Sequence, residues 1–537
     1  MADSLAFAQP VARRPAQSPP WYLLIAPAAV AVSMLLPLVY LVIRAAEADP
    51  SQLAGILLRP RNLILLRNTI LLTLGVLATT TAIALPLAWL VVRTDLPAKR
   101  VITLLCVLPL SVPGYVMAFA LLGLGGNMGF MARVFGIAMP RPSGYWGAMI
   151  ALSLYCFPYL FLGVRSSLMG LDAGMEESAR SLGYSPRAVV LRVILPHLRP
   201  ALVSGWLIVA IYVLGDFGAI ALMRYEVFSY AIYTQYAGAF DRVYAAWLSL
   251  MLLGLALVPV VLEGRLLRGA RLARTGTGVA RRTRMTPLGG WKPLALAFLA
   301  LVFTASIGLP FGMLAYWLTL RSPWQELPRV ARAFLFSAGA AAPAAVLAVL
   351  VAVPIVYLRV RYPSRLSRIA DRIVYVGYAL PPLALALAMV FFSLRAARPL
   401  YQSLPLLITA YVISFLALAT GPIRASLLQA PHRLEEAARS LGCSPLEAFG
   451  RTVVPLLRRG MLASVVLVFV IAMKELPITF LLAPTGYLTL SVAVFSRTSE
   501  ALLAEAAPYA AAIVLFSSLF VGLLLKYEGR KATAEPG

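Results

Sequence analysis

The chain has 537 residues, of which 61% are hydrophobic and 13% charged, and its mean hydropathy is +0.85. No soluble fold requires that much hydrocarbon, so the composition excludes a water-soluble domain and makes the bilayer the solvent for most of the chain. A formal net charge of +26 would suit nucleic acid in a soluble protein, but here its distribution has to be read against a membrane.

Residues 1–20 read as a short disordered tail carrying Arg13 and Arg14. The apolar run that begins at Trp21 is too long for a signal-peptide core and has no small-residue cleavage site after it, so it reads as a retained helix. Windows of about 20 residues place spans at 22–43, 69–92, 102–124, 145–164, 201–223 and 244–262. Six more follow at 293–318, 334–358, 373–394, 404–420, 461–483 and 508–525, with 404–420 the shortest. Each run is too long for a barrel strand and lacks two-residue alternation, so the spans are expected to be helices. The expected fold class is all-α, a polytopic membrane protein of about twelve transmembrane helices.

The charges fit this layout. Arg93, Lys99 and Arg100 follow the second span, and Arg359, Arg361, Arg365, Arg368 and Arg372 follow the eighth. Residues 264–292 hold eight basic residues and no acid, and Lys526, Arg530 and Lys531 close the chain. With a cytoplasmic N-terminus, twelve crossings put every one of these stretches, and the C-terminus, inside. Membrane lipid is therefore an expected partner and nucleic acid is not. Cys106, Cys156 and Cys443 are scattered, with neither a disulfide nor a zinc pattern.

One polar passage is written twice. "EESARSLGYSPRAVVLRVILP" occupies 176–196 and "EEAARSLGCSPLEAFGRTVVP" occupies 435–455, so Glu176 and Glu435, like Asp216 and Glu475 further on, stand 259 residues apart. Each half carries an even number of crossings, which makes the repeat parallel rather than inverted. The expected organisation is a first half at 21–263, a basic cytoplasmic linker at 264–291, a second half at 292–527 and a cytoplasmic tail at 528–537.

Within each copy two short helices are expected around a glycine. Leu171, Met175, Ala179 and Leu182, and likewise Leu434, Ala438 and Leu441, recur at helical spacing as an apolar stripe. Gly183 and Gly442 are natural left-handed stops. Ser185-Pro186 and Ser444-Pro445 restart a helix, and Glu447 completes a capping box in the second copy. Pro196 and Pro455 are expected to end that helix, and Glu177 and Glu436 to be exposed opposite the stripe. An interfacial anchor needs only an apolar face. The order E-x-A-R-S-L-G-x-S-P kept in both copies is what a partner with paired grooves demands.

The two passages resemble the EAA loop of ABC-transporter importer permeases: E-A-A, three residues, Gly, nine residues, then I-x-L-P. The second copy matches at Glu436, Ala437, Ala438, Gly442 and Pro455, with Thr452 and Val454 departing. The first copy has Glu177, Ala179, Gly183, Val193, Leu195 and Pro196, with Ser178 departing. The resemblance implies the type I fold of binding-protein-dependent ABC permeases, in a bacterial inner membrane. It also implies that loops 172–200 and 431–460 dock onto two copies of a cytoplasmic ABC ATPase, and that a periplasmic substrate-binding protein delivers the cargo. The ATPase-coupling set so implied is Glu176, Glu177, Ala179, Gly183, Pro196, Glu435, Glu436, Ala437, Ala438, Gly442 and Pro455. The chain itself is not expected to be an enzyme or to hold a cofactor: it has no G-x-x-x-x-G-K-[ST], and none of its five lysines follows a glycine. An ion-coupled secondary transporter of two six-helix halves would scatter more ionisable groups through its spans.

For the cargo, "LGDFGAIALMRY" (214–225) and "MKELPITFLLAP" (473–484) put Asp216 and Glu475 inside the fifth span of each half. A fused chain with these elements resembles the ferric-iron importer permeases. Thiamine permeases are also fused and share a G-D-F-G-like element, whereas polyamine, sulfate and phosphonate permeases share the loop but are usually two chains. Ferric iron is the expected cargo, with thiamine or another small solute as the alternative. Asp216 and Glu475 are the expected translocation-path residues. Tyr225, Tyr230, Tyr233 and Tyr236 offer further hard oxygen donors or form an interfacial aromatic belt, and metal ligands stay unassigned.

Overall fold

The computed structural model of the protein describes residues 20–47, 55, 59–266, 285–320 and 323–534. The expectations placed on 1–19, on 267–284 of the linker and on 535–537 lie outside the described residues. Helices dominate, and among the described residues the one extended pairing is an isolated bridge between Thr94 and Thr286. With Leu288 N–H donating to Asp95 Oδ1 at 2.9 Å, it ties the end of the linker to the turn after the second helix.

In chain order the first half contains α1 (Ile25–Ala46), α2 (Pro60–Arg93), α3 (Lys99–Ser111), α4 (Gly114–Leu124), α5 (Gly144–Met169), α6 (Ala173–Ser181), α7 (Pro186–Gly215), α8 (Gly218–Leu222) and α9 (Arg242–Leu266). The second contains α10 (Gly289–Thr319), α11 (Pro323–Arg361), α12 (Arg365–Ala379), α13 (Pro382–Ala396), α14 (Leu404–Gln429), α15 (His432–Ser440), α16 (Pro445–Met473), α17 (Pro477–Leu482), α18 (Leu490–Ser499) and α19 (Leu503–Ala534). Ten of the described helices are long and apolar enough to cross a membrane alone, or up to twelve spans if each of two bent pairs is counted as one.

Those pairs correct the straight spans expected at 102–124 and 373–394. Between α3 and α4 the axis turns by 92°, because Val112 (ψ 109°) and Pro113 (ψ 154°) are extended. The proline ring clashes with the preceding residue in an α conformation, so "SVPG" breaks the helix. Pro381, extended at ψ 125°, interrupts the chain between α12 and α13 in the same way. The span expected to be shortest, 404–420, is instead part of the 26-residue α14.

The chain groups into two compact units. The larger comprises the described residues within Leu36–Ala342, together with Ala379–Tyr411 and 470–534. In it α2 lies along α5, and α7 packs against both. Leu87, Leu90 and Val91 of α2 meet Phe157, Leu160, Phe161 and Val164 of α5 in a buried core that also takes in Leu171, Ala179, Val189 and Ile194. The first polar passage is thus anchored in this core. The smaller unit comprises, of the described residues, 20–35, Pro343–Tyr378 and Val412–Phe469. Its core is rich in small residues, with Ala344, Ala345, Ala348, Ala352 and Ala419 all fully buried. Small side chains let helix backbones approach closely where lipid supplies no hydrophobic drive.

Candidate functional site

The two polar passages fold alike. Asp172 caps α6 by accepting from Gly174 N–H. After α6 and α15 the chain turns left-handed at Gly183 (φ +83°) and Gly442 (φ +89°). Tyr184 N–H then donates back to Ala179 O, and Cys443 N–H to Ala438 O, both at 3.1 Å, closing the helix C-termini. An added Cβ would meet nothing within 4 Å at either glycine. The backbone angle alone, not space, calls for Gly there. Ser185 Oγ accepts from Ala188 N–H, and Ser444 Oγ from Glu447 N–H, both at 3.3 Å. Glu447 returns the bond by accepting from Ser444 N–H at 2.9 Å.

Pro196 and Pro455 do not end the second short helix, as expected; it runs on into the membrane as α7 and α16. A π turn lies just before each proline, at Val190–Ile194 and Phe449–Val453, where Leu195 N–H reaches Val190 O and Val454 N–H reaches Phe449 O. The wider turn makes room for a ring that would otherwise crowd the carbonyl one turn back. Each short helix is therefore the rigid end of the fifth span.

The expected apolar stripe is also corrected. Leu171 and Ala179 are buried, but Leu182 and Leu441 are 78% and 86% exposed, and Leu446 is 71% exposed. Glu176 and Glu435 turn inward instead. Glu176 is ion-paired with Arg93, the last residue of α2, and the side chains are only 10% and 3% exposed. Glu435 stands 2.9 Å from Arg361, the last residue of α11, and accepts from Tyr357 O–H at 2.5 Å. Arg361 also donates to Ala430 O at 3.0 Å. Glu177, Ala437, Gly183 and Gly442 are exposed, whereas Ala438 and Glu436 are half-buried, with His432 Nδ1 3.7 Å from Glu436. Arg93 and Arg361 were missed by sequence reasoning. The signal available was an arginine closing the second span of each half, paired with the first glutamate of each doublet.

Asp216 and Glu475 sit at helix breaks rather than within continuous spans. α7 stops at Gly215, Asp216 is extended (ψ 130°), and its Oδ1 accepts from Ala219 and Ile220 N–H at 3.0 and 3.3 Å, capping α8. Glu475 Oε1 likewise accepts from Ile478 N–H at 3.1 Å, capping α17. Lys474 does not pair with Glu475; its Nζ donates to Leu110 O of α3 at 2.9 Å, and Tyr115 O–H of α4 donates to Lys474 O at 3.2 Å. A Cβ on Gly114 would stand 3.0 Å from Asp216 Oδ2, and one on Gly218 would stand 2.6 Å from Leu476 Cδ2. Three broken helices thus meet within the larger unit, with two half-buried carboxylates and one ammonium at the junction. Unwound backbone at membrane depth is tolerated where it lines a protein interior or a cavity, and such breaks form the solute sites of many transporters. Among the described residues no three His, Cys, Asp or Glu side chains are grouped as a metal cage. Of the four tyrosines, Tyr230 and Tyr233 line one cavity, and Tyr225 packs edge-on against Tyr145.

Comparison with known proteins places this arrangement. The family model for the binding-protein-dependent transport system inner membrane component matches twice, at residues 81–271 and 344–528. The Fe(3+)-transport system permease protein FbpB 2 of Haemophilus influenzae is 34% identical over 514 residues, covering 95% of this chain and 99% of that protein. The molybdenum transport system permease protein ModB of Escherichia coli is 31% identical over 28% of this chain and 69% of its own length. The spermidine/putrescine permease PotC of Haemophilus influenzae is 32% identical over 30% of this chain and 60% of its own length. With two matched segments, helices that fit ten to twelve membrane spans and a near full-length relative, the chain belongs to the family of binding-protein-dependent transport system inner membrane components, as a permease with two fused repeats.

Proposed function

We propose that this permease imports ferric iron, delivered by a periplasmic binding protein and driven by two copies of a cytoplasmic ABC ATPase. The observation that carries the reading is the similarity to an Fe(3+)-transport permease along almost the whole length of both chains. Both termini, the linker at 264–291 and the loops at 172–200 and 431–460 are on the cytoplasmic side of a bacterial inner membrane, where the basic residues concentrate. The halves at 21–263 and 292–527 each contribute one docking loop. Leu182, Leu441 and Leu446, large apolar side chains exposed beside Gly183 and Gly442, form the surface that enters the ATPase, with Glu177 and Glu436 at its edge. Glu176 and Glu435 hold the loops to the permease body. Asp216 and Glu475 give the membrane junction a negative potential that favours passage of a cation.

The test is uptake of radiolabelled ferric iron, against molybdate and spermidine, in a strain lacking its own ferric permease. Wild type is expected to restore iron uptake alone. Asp216→Asn combined with Glu475→Gln keeps the capping shape and removes charge, and is expected to lower iron uptake at least tenfold with ATP hydrolysis retained. Restored molybdate or spermidine uptake in place of iron would overturn the cargo.

A further inference from the structure

At the end of α5 opposite the first docking loop, the larger unit has an open cavity of about 750 Å³, within the range of small-molecule sites. Arg141, Arg224, Tyr230, Tyr233, Thr498 and Ser499 line it, and Glu500 is its one acid. Its lining includes Ala221 and Leu222 of α8, the residues that follow the Ala219 and Ile220 N–H groups bonded by Asp216 Oδ1, so the cavity lies at the far end of the short helix which that carboxylate caps. Among the described residues neither Arg141 nor Arg224 has a carboxylate within ion-pairing distance, although Glu500 lines the same space. Arg141 lies across Gly126, where a Cβ would stand 2.8 Å from its Nε.

The backbone is strained at this same place. Arg224 (φ +52°) and Ala501 (φ +64°) are two of five non-glycine residues with positive φ among those described, and both line the cavity. A left-handed conformation is unfavourable for an L-residue, and such outliers cluster at functional sites. Glycine would relieve the strain, yet the chain places an arginine there.

Thr498 and Ser499 donate their hydroxyl protons to Val494 O and Ser496 O. The donors facing the space are therefore the two guanidinium groups, unpaired among the described residues, with the Tyr230 and Tyr233 phenols beside them. They make a receptor for a carboxylate or phosphate, which guanidinium matches with parallel N–H donors. They repel a bare cation. Ferric ion is hard, hydrolyses in neutral water and travels with anionic oxygen ligands. Resting on the ferric-iron reading, we propose that this cavity is an oxyanion site that receives the carboxylate or phosphate ligands of the arriving ferric complex. The anion then sits above the carboxylates of the junction, so that its charge and the metal's are met by opposite groups in sequence.

The test is equilibrium titration of the full-length permease in lipid nanodiscs with citrate, and separately with inorganic phosphate, at constant ionic strength against chloride. One saturable site is expected for at least one of the two anions. Arg141→Gln with Arg224→Asn should weaken it tenfold or more. Asn tolerates positive φ, and Arg224→Lys, which keeps the charge but not the paired N–H donors, should bind with an affinity between wild type and the double variant. Matched thermal melts exclude misfolding. No saturable binding, or equal affinity in the double variant, overturns the site. Uptake of ferric citrate separates the two readings. Anion binding by a wild type that imports no iron leaves the site standing and removes the cargo. Iron import by a permease that binds neither anion removes the site alone.

Discussion

The pairing of Glu176 with Arg93 gives the sharpest quantitative test of how the first polar loop is held. Glu176→Gln leaves the Arg93 guanidinium, 3% exposed, buried without its counter-charge. Breaking a buried pair by removing one member costs about 3–5 kcal/mol, because the remaining ion stays desolvated. The lower bound corresponds to roughly a 150-fold change in the equilibrium for local opening, at about 1.4 kcal/mol per decade. Hydrogen–deuterium exchange reads that opening in amides bonded within the loop, such as Leu182 N–H to Ser178 O and Tyr184 N–H to Ala179 O. These amides should exchange about 100-fold faster or more in Glu176→Gln. Glu177→Gln, one residue on and exposed, should change them by no more than about twofold, as exposed substitutions do. The double variant Arg93→Gln/Glu176→Gln should recover part of the protection, since it leaves no unpaired charge behind. Equal exchange in Glu176→Gln and Glu177→Gln would refute the view that this pair fastens the loop to α2.

Other outcomes follow from the same geometry. Gly442→Val forces a β-branched residue to φ +89° with open space around it, a strain of about 1–3 kcal/mol; ATP hydrolysis should continue while uptake falls, and Gly442→Asn should be nearly neutral. Ser444→Ala removes the acceptor for Glu447 N–H and should cost about 1 kcal/mol of local stability, seen as faster exchange at 446–449 with no change at 187–190. Cys443 is half-buried on the loop while Cys106 and Cys156 are buried, so an impermeant maleimide should label the permease only after spheroplasts are permeabilised. Labelling of intact spheroplasts would reverse the orientation.

Much of the architecture was legible because its causes are local or periodic. Hydropathy marks the spans since a lipid-facing helix has no alternative to apolar side chains, and a repeat at a fixed offset needs no structure to be seen. The turns at Gly183 and Gly442 and the capping box at Ser444 were readable for the same reason: each is satisfied within a few residues. Tertiary structure decided what depends on partners far along the chain. The helical pattern of α6 suited Met175 and Leu182 as buried residues, but Arg93, 83 positions away from Glu176, turns the glutamate inward and leaves Leu182 in solvent. Hydropathy counted 102–124 and 373–394 as spans, whereas prolines fold each into two limbs, because a window average is blind to a single φ/ψ restriction. The same blindness hid the role of Asp216 and Glu475. Composition placed both acids in the membrane; only the broken helices, with Leu110 O holding Lys474 and the first turns of α8 and α17 holding the carboxylates, show how charge is accommodated there.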